Sequence, residues 1–144
     1  MPAAATTEGG MATNGAPDVC YLPAPMPPAG PGGIPTPYPN LGKLSGADET
    51  TTRVLIRNKK ALVEGSFIPS SRGDEAGCSS NPVPGRKGLA SQGNRKKVEF
   101  SKHSGKVKLE GRGAIFQGVP TKHNDSNTVG THGIASQSKV IVAP

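Results

Sequence analysis

Apolar and β-branched side chains along this chain are gathered into short runs that turn residues interrupt. Residues 50–56 open with three threonines and continue through Val54, Leu55 and Ile56, a composition that favours extended backbone. Asn58 supplies a turn and Ala61, Leu62 and Val63 a return strand, so the segment predicts a hairpin. Residues 98–100, 107–110, 114–116 and 139–142 predict further strands on the same grounds. Glycine (20 residues) and proline (15) are frequent and poor in helix interiors, so few or no helices are expected.

The pattern repeats. Residues 54–65 align with residues 107–118: Val54 with Val107, Ile56 with Leu109, Asn58 with Gly111, Lys59 with Arg112, and Ala61 with Ala114. Leu62, Val63, Glu64 and Gly65 then meet Ile115, Phe116, Gln117 and Gly118. A polar loop follows each copy, and each loop meets an Ala-Ser-Gln tripeptide, at 90–92 and 135–137, and then a strand containing Lys-Val. A duplicated β unit predicts hairpins packed pseudo-symmetrically about an axis, as a pointed β-prism or cone. The Pro-rich stretch is expected to complete it as a third, degenerate element.

That stretch, residues 17–40, is punctuated by proline from Pro17 to Pro39, which excludes both helix and central strand and predicts a stiff, extended segment. Residues 1–16 are small, polar and Gly-rich and are expected to be a disordered N-terminal arm, leaving 17–144 as one domain. An apolar fraction of 33% without tryptophan excludes a large conventional core. Such a chain needs a metal, a disulfide or a partner. No apolar run is long enough to cross a bilayer, so stable membrane insertion is not expected. The first residues lack the basic and apolar regions of a signal peptide.

Charge adds a partner class. The net charge is +7, with basic residues gathered in 53–60 and 86–112. Phosphate contacts are permitted, which keeps a small basic nucleic-acid-binding protein as a rival reading. Only Tyr21, Tyr38, Phe67, Phe100 and Phe116 are available for base stacking, so no nucleic-acid partner is expected and a basic surface facing water or an acidic partner is preferred.

Catalytic signatures are missing: there is no Gly-x-Ser-x-Gly elbow and no His-Glu-x-x-His. The expectation is a protein that is not an enzyme; a small thiol hydrolase would need Cys78 exposed and of low pKa. Asp74 is expected in a turn contact with Arg72. Zinc chemistry fits better, because Zn²⁺ takes four Cys, His or carboxylate ligands. Cys20, Cys78, His123 and His132 form the candidate set, the last three drawn from the two long loops, with His103 in reserve as a surface histidine.

Residues 17–20, 35–40, 71–77, 107–111 and 123–124, in that order, resemble the PAAR-like domains of type VI secretion. The resemblance implies a β-cone whose base sits on a trimeric VgrG spike, one copy per trimer, and whose apex is pinned by zinc. It places Cys20 and His123 at the family's Cys and His positions, in a family that holds its zinc with three His and one Cys. A structural tip protein is therefore expected, cytoplasmic until a contractile machine exports it, with an effector, if any, on a separate chain. The tip of an extracellular contractile injection particle is the alternative within this class.

Overall fold

The structure is a computed structural model that describes residues 1–22, 34–74, 88–91, 93 and 95–144. The described residues are almost entirely β, with one 3₁₀ turn at Leu44–Gly46. The strands are β1 (Met11–Asn14), β2 (Asp18–Leu22), β3 (Ile34–Tyr38), β4 (Leu41–Lys43), β5 (Leu55–Ile56), β6 (Lys59–Lys60), β7 (Phe67–Ile68), β8 (Val98–Phe100), β9 (Lys108–Leu109), β10 (Arg112–Gly113), β11 (Pro120–His123) and β12 (Thr128–Ile134). A six-stranded antiparallel sheet runs in the order β4-β1-β12-β11-β8-β7. Asp48, just past the 3₁₀ turn, bridges Phe67 of β7, so the two edges of the sheet meet and the barrel nearly closes. Leu44, Ile68, Val98 and Val119 fill its interior together with Ala5, Leu62 and Ile115.

The two predicted hairpins form as β5–β6 and β9–β10. Their turns, Arg57-Asn58 and Glu110-Gly111, have both residues at positive φ (53° and 60°, 53° and 80°), which matches the right-handed twist of the flanking strands. Both copies end on a left-handed glycine, Gly65 at φ 90° and Gly118 at φ 92°.

The third element is not the Pro-rich stretch. Residues 137–142 at one end of the chain and 2–8 at the other together rebuild the same unit. Ile141 bridges Ala3, and the Val142 N–H donates to the Pro2 carbonyl, where β5–β6 and β9–β10 pair within one segment. The break between the termini falls where the other two copies turn. Residues 2–8 are therefore structural, and so is β1, which pairs with both β12 and β4. The disordered arm expected for residues 1–16 is corrected: Ala4 and Ala5 are buried at the axis and paired with the other two copies.

Three strands meet there in a closed ring of hydrogen bonds. The Ala5 N–H donates to Ile115 O (2.9 Å), the Ile115 N–H to Leu62 O (3.0 Å), and the Leu62 N–H back to Ala5 O (2.9 Å). Bridges follow the same cycle: Thr6 with Ala61, Val63 with Ala114, Phe116 with Ala4. Ala4, Ala61 and Ala114 occupy equivalent places and are all buried in one cluster with Ile56 and Val142.

The repeat between Ala-Ser-Gln tripeptides is not structural. Residues 135–137 lead into the third copy, where Ser136 Oγ accepts the Thr6 N–H at 2.8 Å. Ala90 and Ser91 instead give their backbone N–H groups to Asn127 Oδ1, and Gln92 lies outside the described residues. The second polar loop, expected over 119–134, is the β11–β12 hairpin.

Glu110 ties the copies together from its turn. Its carboxylate accepts the backbone N–H groups of Thr52, Arg53 and Val54 at 2.6–3.1 Å. These donors hold its carboxyl down at about 2. A depressed carboxyl contributes stability that is present above its unfolded value near 4.5 and lost as pH falls towards 2. Glu110→Gln should therefore melt below wild type at pH 7 and level with it at pH 2 in thermal unfolding. Deleting residues 2–8 should abolish the cooperative unfolding transition, measured by calorimetry, because it opens the ring.

Candidate metal centre

At the far end of the sheet from the hairpin turns, polar side chains are buried together. The β2 strand alternates, so Asp18 and Cys20 share the face that points inward, and both are fully buried. Asp74 arrives from the segment after β7, also fully buried. Oxygen and sulfur donors of Asp18, Cys20 and Asp74 lie within 4.8 Å of one another.

Amides surround the acids. Asn40 Nδ2 donates to Asp18 Oδ2 at 2.7 Å, and Asn124 Nδ2 reaches the same oxygen at 3.3 Å. Asn127 Nδ2 donates to Asp18 Oδ1. Asn124, Asp125 and Ser126 carry three consecutive positive φ values (50°, 53°, 68°), an unfavourable turn that aims the Asn124 amide inward. Asp74 Oδ2 takes the Arg95 backbone N–H at 3.0 Å, not the turn contact with Arg72. Burial, with the nearby Asp18 charge adding to it, pushes the Asp74 carboxyl up to about 6. Two buried carboxylates beside a thiol form a site that a proton or a cation must neutralise.

His123, on β11, is buried beside this group but points its ring elsewhere. Asp18 only accepts, so the Asn40 amide nitrogen faces it and Asn40 Oδ1 faces His123 Nδ1 at 2.9 Å. The proton therefore sits on Nδ1, and Nε2 accepts from the Thr121 hydroxyl at 2.9 Å. Burial pushes this imidazole down to about 4, consistent with the neutral ring that geometry requires. His123 thus reaches Asp18 through Asn40.

His132, on β12, belongs to the apolar interior. Its Nδ1 lies 3.2 Å from Phe116 O and its ring stands edge-on to Phe100, with centroids 6.4 Å apart. His103 is exposed, with Nε2 3.5 Å from Glu64 Oε1. Cys78 lies outside the described residues. Of the expected ligands, then, the structure brings Cys20 to the donor group, and the other two members are Asp18 and Asp74. Zinc accepts thiolate and carboxylate donors, so these three residues fit the ion, though not as a three-histidine set.

The model of the toxin PAAR-like domain matches residues 11–130. A curated relative, "DNase toxin Tse7" of Pseudomonas aeruginosa, is 32% identical over 115 residues, covering 79% of this chain and 28% of the relative. The chain thus spans under a third of that protein's length. No solved structure matches. The expectation of a protein that is not an enzyme is corrected by this kinship, since the relative is named as a nuclease. With the family model covering most of its length, the chain belongs to the toxin PAAR-like domain family.

Proposed function

We propose that this chain is the spike-seating module of a DNase toxin delivered by a type VI secretion machine. Its hairpin end caps a trimeric VgrG-like spike, one chain per trimer, and its opposite end forms a point. The observation that carries this is the ring of hydrogen bonds among Ala5, Leu62 and Ile115, which gives a single chain three equivalent faces about one axis. A closed C3 assembly offers three identical surfaces at its end, and a lone chain occupies all of them only by imitating threefold symmetry. The nuclease activity is carried over from the relative's name and its location from the secretion route, cytoplasmic before firing.

At the point, we assign one Zn²⁺ to Asp18, Cys20 and Asp74. Bound there, the ion would neutralise the clustered acids and join β2 to the segment after β7, stiffening the end that meets a cell envelope. His123 and Asn40 hold Asp18 in place and do not ligate.

Two measurements test these assignments. Native mass analysis of the chain with a purified trimeric VgrG-like spike should give one copy per trimer. Three copies, or none, overturns the seating. Leu55→Asp with Ile141→Asp, at equivalent positions exposed by 51% and 53%, should weaken that complex at least about tenfold. Metal analysis should find one zinc per chain in wild type and none in Cys20→Ser or Asp74→Ala. His123→Ala should keep a stoichiometric site at about 10–100-fold lower affinity, the usual cost of losing a residue that orients a ligand. Loss as complete as in Cys20→Ser would make His123 a direct ligand.

A further inference from the structure

The three copies can be aligned residue by residue, and most surface positions differ among them. Leu55 corresponds to Lys108 and Ile141, Arg57 to Glu110 and Ala143, Lys59 to Arg112 and Pro2, Lys60 to Gly113 and Ala3. One position is basic in all three: Arg53, Lys106 and Lys139. Each stands in the turn that opens its copy, just before Val54, Val107 or Val140, and each is exposed.

That turn is fixed in all three copies by a side-chain acceptor, though the acceptor differs. The N–H groups of Lys106 and Val107 donate to Ser104 Oγ at 3.2 and 2.9 Å. Those of Lys139 and Val140 donate to Gln137 Oε1 at 2.7 and 2.8 Å. Those of Arg53 and Val54 donate to Glu110 at 2.6 and 2.9 Å. The turn also lies against a neighbouring copy's tip: Glu110 reaches the turn of Arg53, and Ser104 Oγ donates to the Ala143 carbonyl. The cations therefore ring the end that carries the hairpin turns. Among the described residues none of the three makes an ion pair; those pairs use Arg57, Lys97 and His103.

We propose that Arg53, Lys106 and Lys139 form a threefold cationic ring that binds three symmetry-related acidic groups on the end face of the trimeric spike. This rests on the seating proposed above and specifies the chemistry of the partner's face. Different acceptors hold one turn geometry and one charge at all three places, which a merely solvated basic surface does not require. A nucleic-acid backbone has no threefold end to match, whereas a C3 trimer presents the same carboxylate three times.

The test measures affinity for a purified trimeric VgrG-like spike from the organism that supplies the chain, across a salt series. Arg53→Ala, Lys106→Ala and Lys139→Ala are compared singly and together, with Lys43→Ala, on β4, as a control. Exposed ion pairs contribute modestly, so each single change should weaken binding about two- to fivefold and to a similar extent. The triple variant should lose about 10–100-fold and show a shallower salt dependence. Lys106→Gln and Lys139→Gln, with unchanged melting, separate charge from folding. A triple variant that binds as tightly as wild type, while Leu55→Asp with Ile141→Asp does not bind, overturns the ring and leaves the seating standing. Wild type that fails to bind any spike overturns both. A triple variant that keeps the spike but loses duplex DNA assigns the ring to phosphate and overturns the proposal.

Discussion

The structure depends on a closed cycle of three backbone hydrogen bonds at its axis. Ala5, Leu62 and Ile115 each give one and take one, and all three are buried. In an open sheet, an edge strand can leave and expose its neighbour to water. Within this ring no segment is an edge, and the loss of any one leaves a buried donor and a buried acceptor on the other two, each costing about 1–3 kcal/mol. That penalty falls on segments far apart in sequence, so the two ends and the middle of the chain are held as one cooperative unit. Size follows from the same constraint: alanine recurs at 4, 61 and 114 because three backbones converge there. A small core is then a consequence of the axis.

The opposite end solves a different problem. There the chain buries Asp18, Asp74, Asn40, Asn124 and His123 in a protein with little apolar surface. The amides of buried Asn40 and Asn124 and half-buried Asn127 donate to Asp18, and the neutral His123 fixes the orientation of Asn40. Such a network specifies a single arrangement, yet burial, with the Asp18 charge adding to it, still pushes the Asp74 carboxyl up. A cation resolves that conflict where further amides do not.

Much of the hairpin end was legible in the sequence, because β5–β6 and β9–β10 are contiguous and their turns carry Asn58 and Gly111. The third copy was hidden for a physical reason. Its two strands sit at opposite ends of the chain, and its alanines and Thr6 carry no amphipathic signal when taken as one segment. The β11–β12 hairpin was missed because its turn, residues 124–127, uses Asn, Asp and Ser in left-handed backbone without glycine. At the point, soft ligands drew attention to histidine, whereas the alternation of β2 already put Asp18 beside Cys20. Asp74 gave no such sign, since only the closed barrel brings its segment to β2.

The two ends of the molecule differ in symmetry. Met1 and Pro144 flank the third unit's missing turn, at the hairpin end. The end that holds Asp18, Cys20 and Asp74 is built from segments that lie between strands of the large sheet. Threefold repetition is confined to the hairpin end, and the other end is asymmetric, gathering two acids and a thiol into one place.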